Sequence, residues 1–259
     1  MALILNHFYS DALTECNSMN IIIPLESAPK DRYPLLWLIP PAGKDHTAWQ
    51  RSTRIEQIAT QLGIMVVMPD MKLSYGVNMI HGLSYFTMLT KELPALISDY
   101  FPADMSRQYI AGAKEGGYAA LRAALKYPEL YSAVSIYSCG SLTDEDSIKM
   151  EWQKKQLSNA FGCENLYNLG HTDHSLAYLL EQGIPPHLQI SFAYGSGDRY
   201  RRSAQKLNCL FEDLNSKQVQ TRLFRYKLTW TDWEKLLYED LCYLSQTPPA
   251  PMSFSLESP

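Results

Sequence analysis

The chain has 259 residues, of which 46% are hydrophobic and 19% are charged, so it can bury a sizeable core and disorder is not expected. A net charge of −4 without a basic stripe argues against nucleic acid as a partner. The chain has no run of about 18 apolar residues and no signal-peptide pattern at its start, which argues against a membrane partner, and its five scattered cysteines favour free thiols in a reducing cytoplasm.

Apolar runs typical of buried strands alternate with apolar residues at helical spacing. The first predicted elements are a strand at 19–24, a strand at 33–39, a helix at 55–62, a strand at 64–68 and a helix at 84–100 that is kinked or restarted at Pro94. A strand at 109–111, a helix at 116–127 and a strand at 133–137 follow. The last are a strand at 188–194, a helix at 203–214, a strand at 220–226 and a helix at 233–244. This alternation predicts an α/β fold with a mostly parallel central sheet and helices on both faces.

One domain accounts for most of this pattern. We predict a single α/β domain over residues 1–246, in which 141–186 form a cap-like insertion with several short helical pieces. Residues 247–259 are rich in proline and are predicted to form a loose tail.

The segment from Tyr109 to Tyr118 has the pattern of a strand end, a tight turn and a helix start. Within it, Gly112 and Gly116 frame Lys114 in a G-x-K-x-G pattern. A G-x-S-x-G pattern in this setting is a nucleophile elbow, whose strained turn presents a serine hydroxyl to the active site. An amine therefore stands where acyl transfer would begin.

Five stretches of the chain together resemble the esterase D branch of the α/β-hydrolases, with the nearest likeness to small bacterial tributyrin and acetyl esterases. They are residues 35–49, 66–70, 86–101 and 112–118, and Asp198 together with 231–233. The resemblance runs from residue 4 or so to residue 244. It implies the α/β-hydrolase fold and a Ser…Asp…His order of catalytic residues. Neither a metal nor a cofactor is expected.

Carried over residue by residue, the resemblance puts Lys114 at the nucleophile position, Asp198 at the acid position and Thr231 at the base position. Trp230 is the neighbouring alternative for the base. Neither threonine nor tryptophan accepts a proton as imidazole does, so the aspartate alone is retained from the three catalytic groups. Two consequences are considered for the lysine. Either the turn has relaxed, because catalysis no longer demands strain, or Lys114 pairs with Asp198 and fills the pocket.

The loop that forms the oxyanion hole also departs from the family. Its His-Gly pair is here Pro40-Pro41, which stiffens the loop and removes backbone N–H donors. The backbone N–H groups of Ala42 and Glu115 are the expected oxyanion-hole donors, because the hole is built from backbone groups.

Two further candidate sites are interpreted as structural. Cys139 follows a strand near the sheet edge where sites form, but a small buried residue is the favoured interpretation. His171 and His174 flank an aspartate, which is a weak metal signal without a partner segment, so a solvated loop is favoured.

A basic cluster after the acid position bears on the choice of ligand. It comprises Arg199, Arg201, Arg202 and Lys206. A solvated helix face is the default interpretation. The cluster also stands at the mouth of the predicted pocket, where it would attract an anionic ligand.

Two functional hypotheses follow. The first is a pseudo-esterase that keeps the fold and binds a ligand or a protein without hydrolysis. The second is a carboxylesterase or acyl hydrolase that acts on small esters through a non-standard constellation. A Schiff-base or general-base role for Lys114 belongs to the second hypothesis and is less favoured than a degenerate site. A small ester, an anionic ligand and a second copy of the chain are the partners considered.

Overall fold

A computed structural model describes residues 1–26, 31–140, 151–162, 169–170 and 172–246. Its strands are β1 (Ala2–Ser10), β2 (Glu15–Ile23), β3 (Tyr33–Ile39), β4 (Met65–Pro69), β5 (Ala103–Ala113), β6 (Ala133–Tyr137), β7 (Gln189–Gly195) and β8 (Val219–Phe224). They form one sheet in the order β1-β2-β4-β3-β5-β6-β7-β8. Strand β2 pairs antiparallel with β1 and β4, and the other pairs are parallel. The prediction of a mostly parallel sheet is confirmed.

Helices cover both faces of this sheet. They are α1 (Ala48–Ser52), α2 (Ile55–Leu62), α3 (Tyr85–Thr87), α4 (Leu93–Tyr100), α5 (Glu115–Lys126), α6 (Glu151–Phe161), α7 (Leu176–Glu181), α8 (Arg201–Leu214) and α9 (Trp230–Ser245). The kink or restart predicted at Pro94 takes the form of a π-helical turn, Met88–Glu92, after which α4 begins at Leu93. Proline fits the first turn of α4 because it lacks a backbone N–H, which is not needed there.

The central strand β3 is buried on both sides. Leu35, Trp37 and Ile39 belong to one apolar cluster, and Leu36 and Leu38 belong to a second cluster on the other face. A parallel strand covered by helices on both faces has no polar side, which explains the unbroken apolar run in its sequence.

Strand β1 is absent from the predicted elements. Its residues alternate between exposed and half-buried at the edge of the sheet, and Leu5 and Tyr9 lie on the exposed side. It pairs with β2 along its whole length, from Ala2 opposite Ile23 to Ser10 opposite Glu15. Because pairing with β2 rather than burial defines this strand, its sequence pattern is weak.

Parts of the predicted organisation lie outside the described residues. These parts are the tail at 247–259 and, within the insertion at 141–186, residues 141–150, 163–168 and 171. Helices α6 and α7 are the described helices of that insertion. No described helix combines the length and the apolar character that a membrane span requires.

Candidate active-site cleft

The carboxyl ends of β3, β5, β6 and β7 meet at one edge of the sheet, where open α/β folds form their sites. Lys114 lies there, between the end of β5 and the start of α5, with φ 52° and ψ −119°. Its backbone N–H donates to the Tyr137 carbonyl of β6 at 2.8 Å. A lysine adopts this left-handed conformation only when its surroundings impose it. The idea that the turn has relaxed is therefore wrong.

Close packing of the two glycines explains why the turn is kept. A Cβ on Gly112 would lie 2.4 Å from the backbone carbonyl carbon and oxygen of Gly116. A Cβ on Gly116 would lie 2.5 Å from the carbonyl oxygen of Pro40. Both distances are shorter than any non-bonded carbon contact allows. Strand, helix and neighbouring loop thus hold the elbow in place, whatever side chain stands at its apex.

The Lys114 side chain is half-buried and contacts an aromatic ring rather than a carboxylate. Its Nζ lies 5.5 Å from the ring centroid of Trp233, within the range of a cation–π contact. Among the described residues, no ion pair joins Lys114 to Asp198. The predicted pairing of these two residues is therefore not found.

Backbone N–H groups, rather than the Lys114 amine, bind the Asp198 carboxylate. Its carboxylate accepts the backbone N–H of Gly195 and the backbone N–H of Leu228, each at 2.8 Å. The residue is only 6% exposed, and these two charge-assisted bonds compensate its burial. The acid position thus keeps a rigidly held carboxylate that needs no lysine as a partner.

The start of helix α9 fixes where the two candidates for the base position, Thr231 and Trp230, lie. Thr229 caps the helix, and its hydroxyl and backbone N–H both donate to the Asp232 carboxylate, at 2.7 and 2.8 Å. Thr231 then falls in the first turn and is exposed, whereas Trp230 lines the cleft. Trp230, the alternative, therefore shares the cleft with Lys114, whereas Thr231 is not among the described lining residues, because the capping box aligns the start of the helix.

Three tryptophans pack together next to the elbow. Trp230 lies 5.0 Å from Trp233 and 5.1 Å from Trp49 between ring centroids, in both cases edge to face. Trp233 donates its indole N–H to the Ser138 hydroxyl at 3.0 Å, and Trp49 donates to a carbonyl of β3 at 3.0 Å. Trp49 is a packing residue, while Trp230 and the largely buried Trp233 also line the cleft.

The oxyanion-hole position already holds a carboxylate of the protein itself. The backbone N–H of Ala42 donates to Oε2 of Glu115 at 3.2 Å. The Tyr200 hydroxyl donates to Oε1 of the same carboxylate at 2.5 Å. The expected donor, Ala42, is thus occupied by the side chain of Glu115, a residue for which the sequence predicts a role of the backbone N–H alone. The spacing of the elbow glycines carries no signal for this contact.

The cleft above the elbow has a volume of about 350 Å³. The residues that line it include Lys44, Lys114, Arg199, Tyr75, Tyr200 and Trp230. From the predicted basic cluster, Arg199 reaches this cleft, while Arg201 and Arg202 are exposed on α8. A separate cavity of about 470 Å³ lies at the opposite end of β6 to β8, beside Arg222 and Asp240, and is remote from the elbow.

The two remaining candidate sites, Cys139 and the segment around His171 and His174, show no features of a functional site among the described residues. Cys139 is fully buried, and burial raises the pKa of its thiol above the ordinary value. Asp173 forms ion pairs with Arg122 and Lys126. His171 lies outside the described residues, and the described residues contain no group of three or more metal-binding side chains.

Tyr75 provides a pH prediction. Burial, followed by the nearby Glu115 carboxylate, raises the pKa of its phenol to about 12. The unfolded chain loses this proton near pH 10 or so, whereas the folded protein keeps it, so stability should fall between about pH 10 and pH 12. We expect Tyr75→Phe to make the fall in urea midpoint shallower over this interval.

The control is Tyr100→Phe, at a side chain that is 79% exposed. This variant should follow the wild-type pH dependence, because water surrounds that phenol in both the folded and the unfolded state. Identical pH dependence in wild type and Tyr75→Phe would contradict the prediction.

Comparison with known proteins agrees with the fold. The family model described as "Putative esterase" matches residues 10–244. S-formylglutathione hydrolase of Bos taurus is 30% identical over 124 residues, covering 47% of this chain and 41% of that protein. S-formylglutathione hydrolase of Paracoccus denitrificans is 25% identical over 191 residues, covering 65% and 66%. The chain thus spans less than two thirds of the length of these relatives.

A solved structure gives the same result over more of the chain. The substrate-bound, fluorophosphonate-binding serine hydrolase F of Staphylococcus aureus superimposes with a TM-score of 0.83 at 20% identity. The match covers 94% of this chain and 98% of that one, which shows a shared fold. The chain belongs to the esterase family of α/β-hydrolases, as its resemblance to the esterase D branch predicted.

Proposed function

We propose that this esterase-family protein binds a ligand in the cleft without hydrolysing esters. The observation that carries the proposal is the apex of the elbow. The strained turn presents the amine of Lys114, and that amine lies 5.5 Å from the ring centroid of Trp233. The turn that gives a serine its position is present, but it carries no hydroxyl.

Acyl transfer on this fold needs a nucleophile activated by an adjacent base and then released by water. A lysine amine that attacked an ester would form an amide, which does not turn over. Among the described residues that line the cleft there is no histidine. His46, in the loop after β3, is directed towards Asp70, with 3.7 Å between Nδ1 and Oδ2. On the described walls of the cleft, therefore, no imidazole is present for either of the two proton transfers of the reaction.

Glu115 supports the proposal independently. Its carboxylate accepts the Ala42 N–H that would stabilise an oxyanion. An oxyanion at this position would face a negative charge in place of a donor, so the transition state loses the stabilisation on which hydrolysis depends.

The alternative, a hydrolase with a non-standard constellation, finds no favourable observation in the cleft. The hydroxyl groups on its described walls are the phenols of Tyr75 and Tyr200. Burial, followed by the Glu115 carboxylate, raises the pKa of the Tyr200 phenol above its ordinary value, which makes it a poor nucleophile. No imidazole in the described walls activates either phenol.

The test compares ester turnover and active-serine labelling with a positive control. Purified protein is assayed with p-nitrophenyl acetate and with S-formylglutathione, the substrate in the names of two relatives, and is then treated with a fluorophosphonate probe. The fluorophosphonate-binding hydrolase of Staphylococcus aureus serves as the control. We expect rates at least about 10⁴-fold below the control, because a triad that lacks its members loses that much, and no labelled adduct. Turnover comparable with the control, or a labelled serine, would overturn the proposal.

A further inference from the structure

Tyr75, at the wall of the cleft, combines burial, a left-handed backbone conformation and a hydroxyl without a described hydrogen bond. Its side chain lines the cleft, the residue is only 7% exposed, and its backbone has φ 54°. A bulky residue in this left-handed region is a conformational outlier, which often marks a functional position. Among the described residues, its hydroxyl has no hydrogen-bond partner, and because this oxygen is not one of the fully buried polar atoms it remains open to the cleft. The Tyr75 hydroxyl is therefore a fixed hydrogen-bond donor that has no acceptor among the described residues.

The charges on the cleft walls do not cancel. Lys44, Lys114 and Arg199 line the cleft, and Glu115 is the one carboxylate among its described lining residues. Within the described chain, none of the three cations forms an ion pair with a carboxylate. Both oxygens of Glu115 already accept bonds, from Ala42 and Tyr200. In a concave site with low-dielectric walls, the remaining positive charge attracts an anion.

The other wall of the cleft is apolar. Trp230, Trp233 and Leu73 lie along it, and Trp230 is half-buried with part of its surface towards the cleft. A volume of about 350 Å³ is at the small end of ligand sites, where one ring and its substituents fit. The wall thus offers a surface for a flat hydrocarbon body next to the cationic side.

We propose that the cleft binds a small organic oxyanion whose charged head meets Lys114, Arg199 and the Tyr75 hydroxyl, and whose flat apolar body packs against Trp230. This inference rests on the proposed non-hydrolytic function, because an active esterase would use the same space for an acyl group. A carboxylate and a phosphonate share the required chemistry, so both heads are tested.

The experiment measures binding of benzoate, phenylphosphonate and the neutral analogue benzamide by calorimetry and by tryptophan fluorescence. We expect at least one of the two anions to bind with a Kd of about 1 mM or lower and at least about tenfold more tightly than benzamide, a preference that added NaCl should reduce. A preference for one anion identifies the head group. No binding of either anion at about 10 mM, or equal binding of benzamide, would overturn the inference.

Variants identify the groups responsible. Lys114→Met keeps an unbranched side chain, one atom shorter, but removes its charge, and should reduce anion binding by about tenfold. Tyr75→Phe removes a single hydroxyl and should reduce it about threefold or more. Lys235→Met, at an exposed lysine of α9 whose ion pair with Glu239 spans 4.0 Å, is the matched control and should bind like wild type.

Lys114→Met binding that equals wild type would contradict the role of the elbow lysine. None of the three probes contains a carboxylic ester, so the binding result is independent of the turnover result. Absent binding with absent turnover would refute the anion site alone, while measurable turnover would refute the proposed non-hydrolytic function.

Discussion

Lys114→Ser combined with Trp230→His is expected to produce measurable esterase activity once Glu115→Leu is added. The elbow already holds its apex at φ 52°, so a serine there would take the nucleophile position without remodelling the turn. A histidine at position 230 would line the same cleft and supply the missing base. Removal of the Glu115 carboxylate would free the Ala42 N–H to stabilise an oxyanion.

The expected gain is about 10²-fold in kcat/KM for p-nitrophenyl acetate over wild type, the lower end of what a positioned base contributes. The double variant that keeps Glu115 should gain less, because the oxyanion donor stays occupied. Circular dichroism of each variant confirms that it is folded before rates are compared.

The matched control moves the histidine by one residue. Thr231→His replaces Trp230→His in the triple variant, and it should give no gain, because position 231 is exposed on the first turn of α9. Activity with a histidine at 231 but not at 230 would show that the base position is Thr231. Absence of activity in both variants would mean that the altered Pro40-Pro41 loop also blocks the reaction.

Gly112→Ala is expected to destabilise the protein by about 3 kcal/mol or more, or to prevent folding. The new Cβ would meet the backbone of Gly116 at 2.4 Å and the backbone nitrogen of Gly117 at 2.8 Å. Backbone atoms at the start of α5 cannot move aside as a flexible side chain can, so the strand and the helix must separate. Urea denaturation followed by far-UV circular dichroism measures the loss.

Gly183→Ala is the control that separates the steric clash at position 112 from the loss of stability that any glycine-to-alanine change at positive φ causes. Gly183 has φ 92° and no atom within 4 Å of its added Cβ, so strain of the backbone is the whole expected cost, about 1–2 kcal/mol. Comparable losses for the two variants would show that the elbow packing is looser than the distances indicate.

The strand at 33–39, the helix at 55–62 and the strand at 133–137 were predicted with the bounds that the structure has. Each is a buried run or a helical stripe with a stop signal, so local sequence suffices to define it. The strand at 109–111 was predicted too short, since the first half of β5 is largely polar, with Ser106 and Arg107 exposed, and carries no apolar run. Strand β1 was missed for the related reason that an edge strand is defined by its partner.

At the site, the sequence placed Lys114 and Asp198 correctly on the turn after β5 and the loop after β7, because both positions follow from strand ends. The sequence did not predict which groups contact the Lys114 amine and the Asp198 carboxylate. Asp198 takes its two donors from Gly195 and from Leu228, thirty residues away in sequence. The direction of a side chain in a packed cleft depends on every wall at once, and no local pattern contains that information.

By itself, the sequence determined the fold class, the family and the identity of the residue at the apex of the elbow, because buried runs and glycine spacing act over short stretches of chain. The tertiary structure alone decided that the Glu115 carboxylate accepts the N–H of Ala42, a residue 73 positions away, and that Trp230 rather than Thr231 faces the cleft. It also brought Tyr75 and Arg199 to one cavity. These contacts join loops that follow different strands, and their meeting depends on the order and twist of the whole sheet.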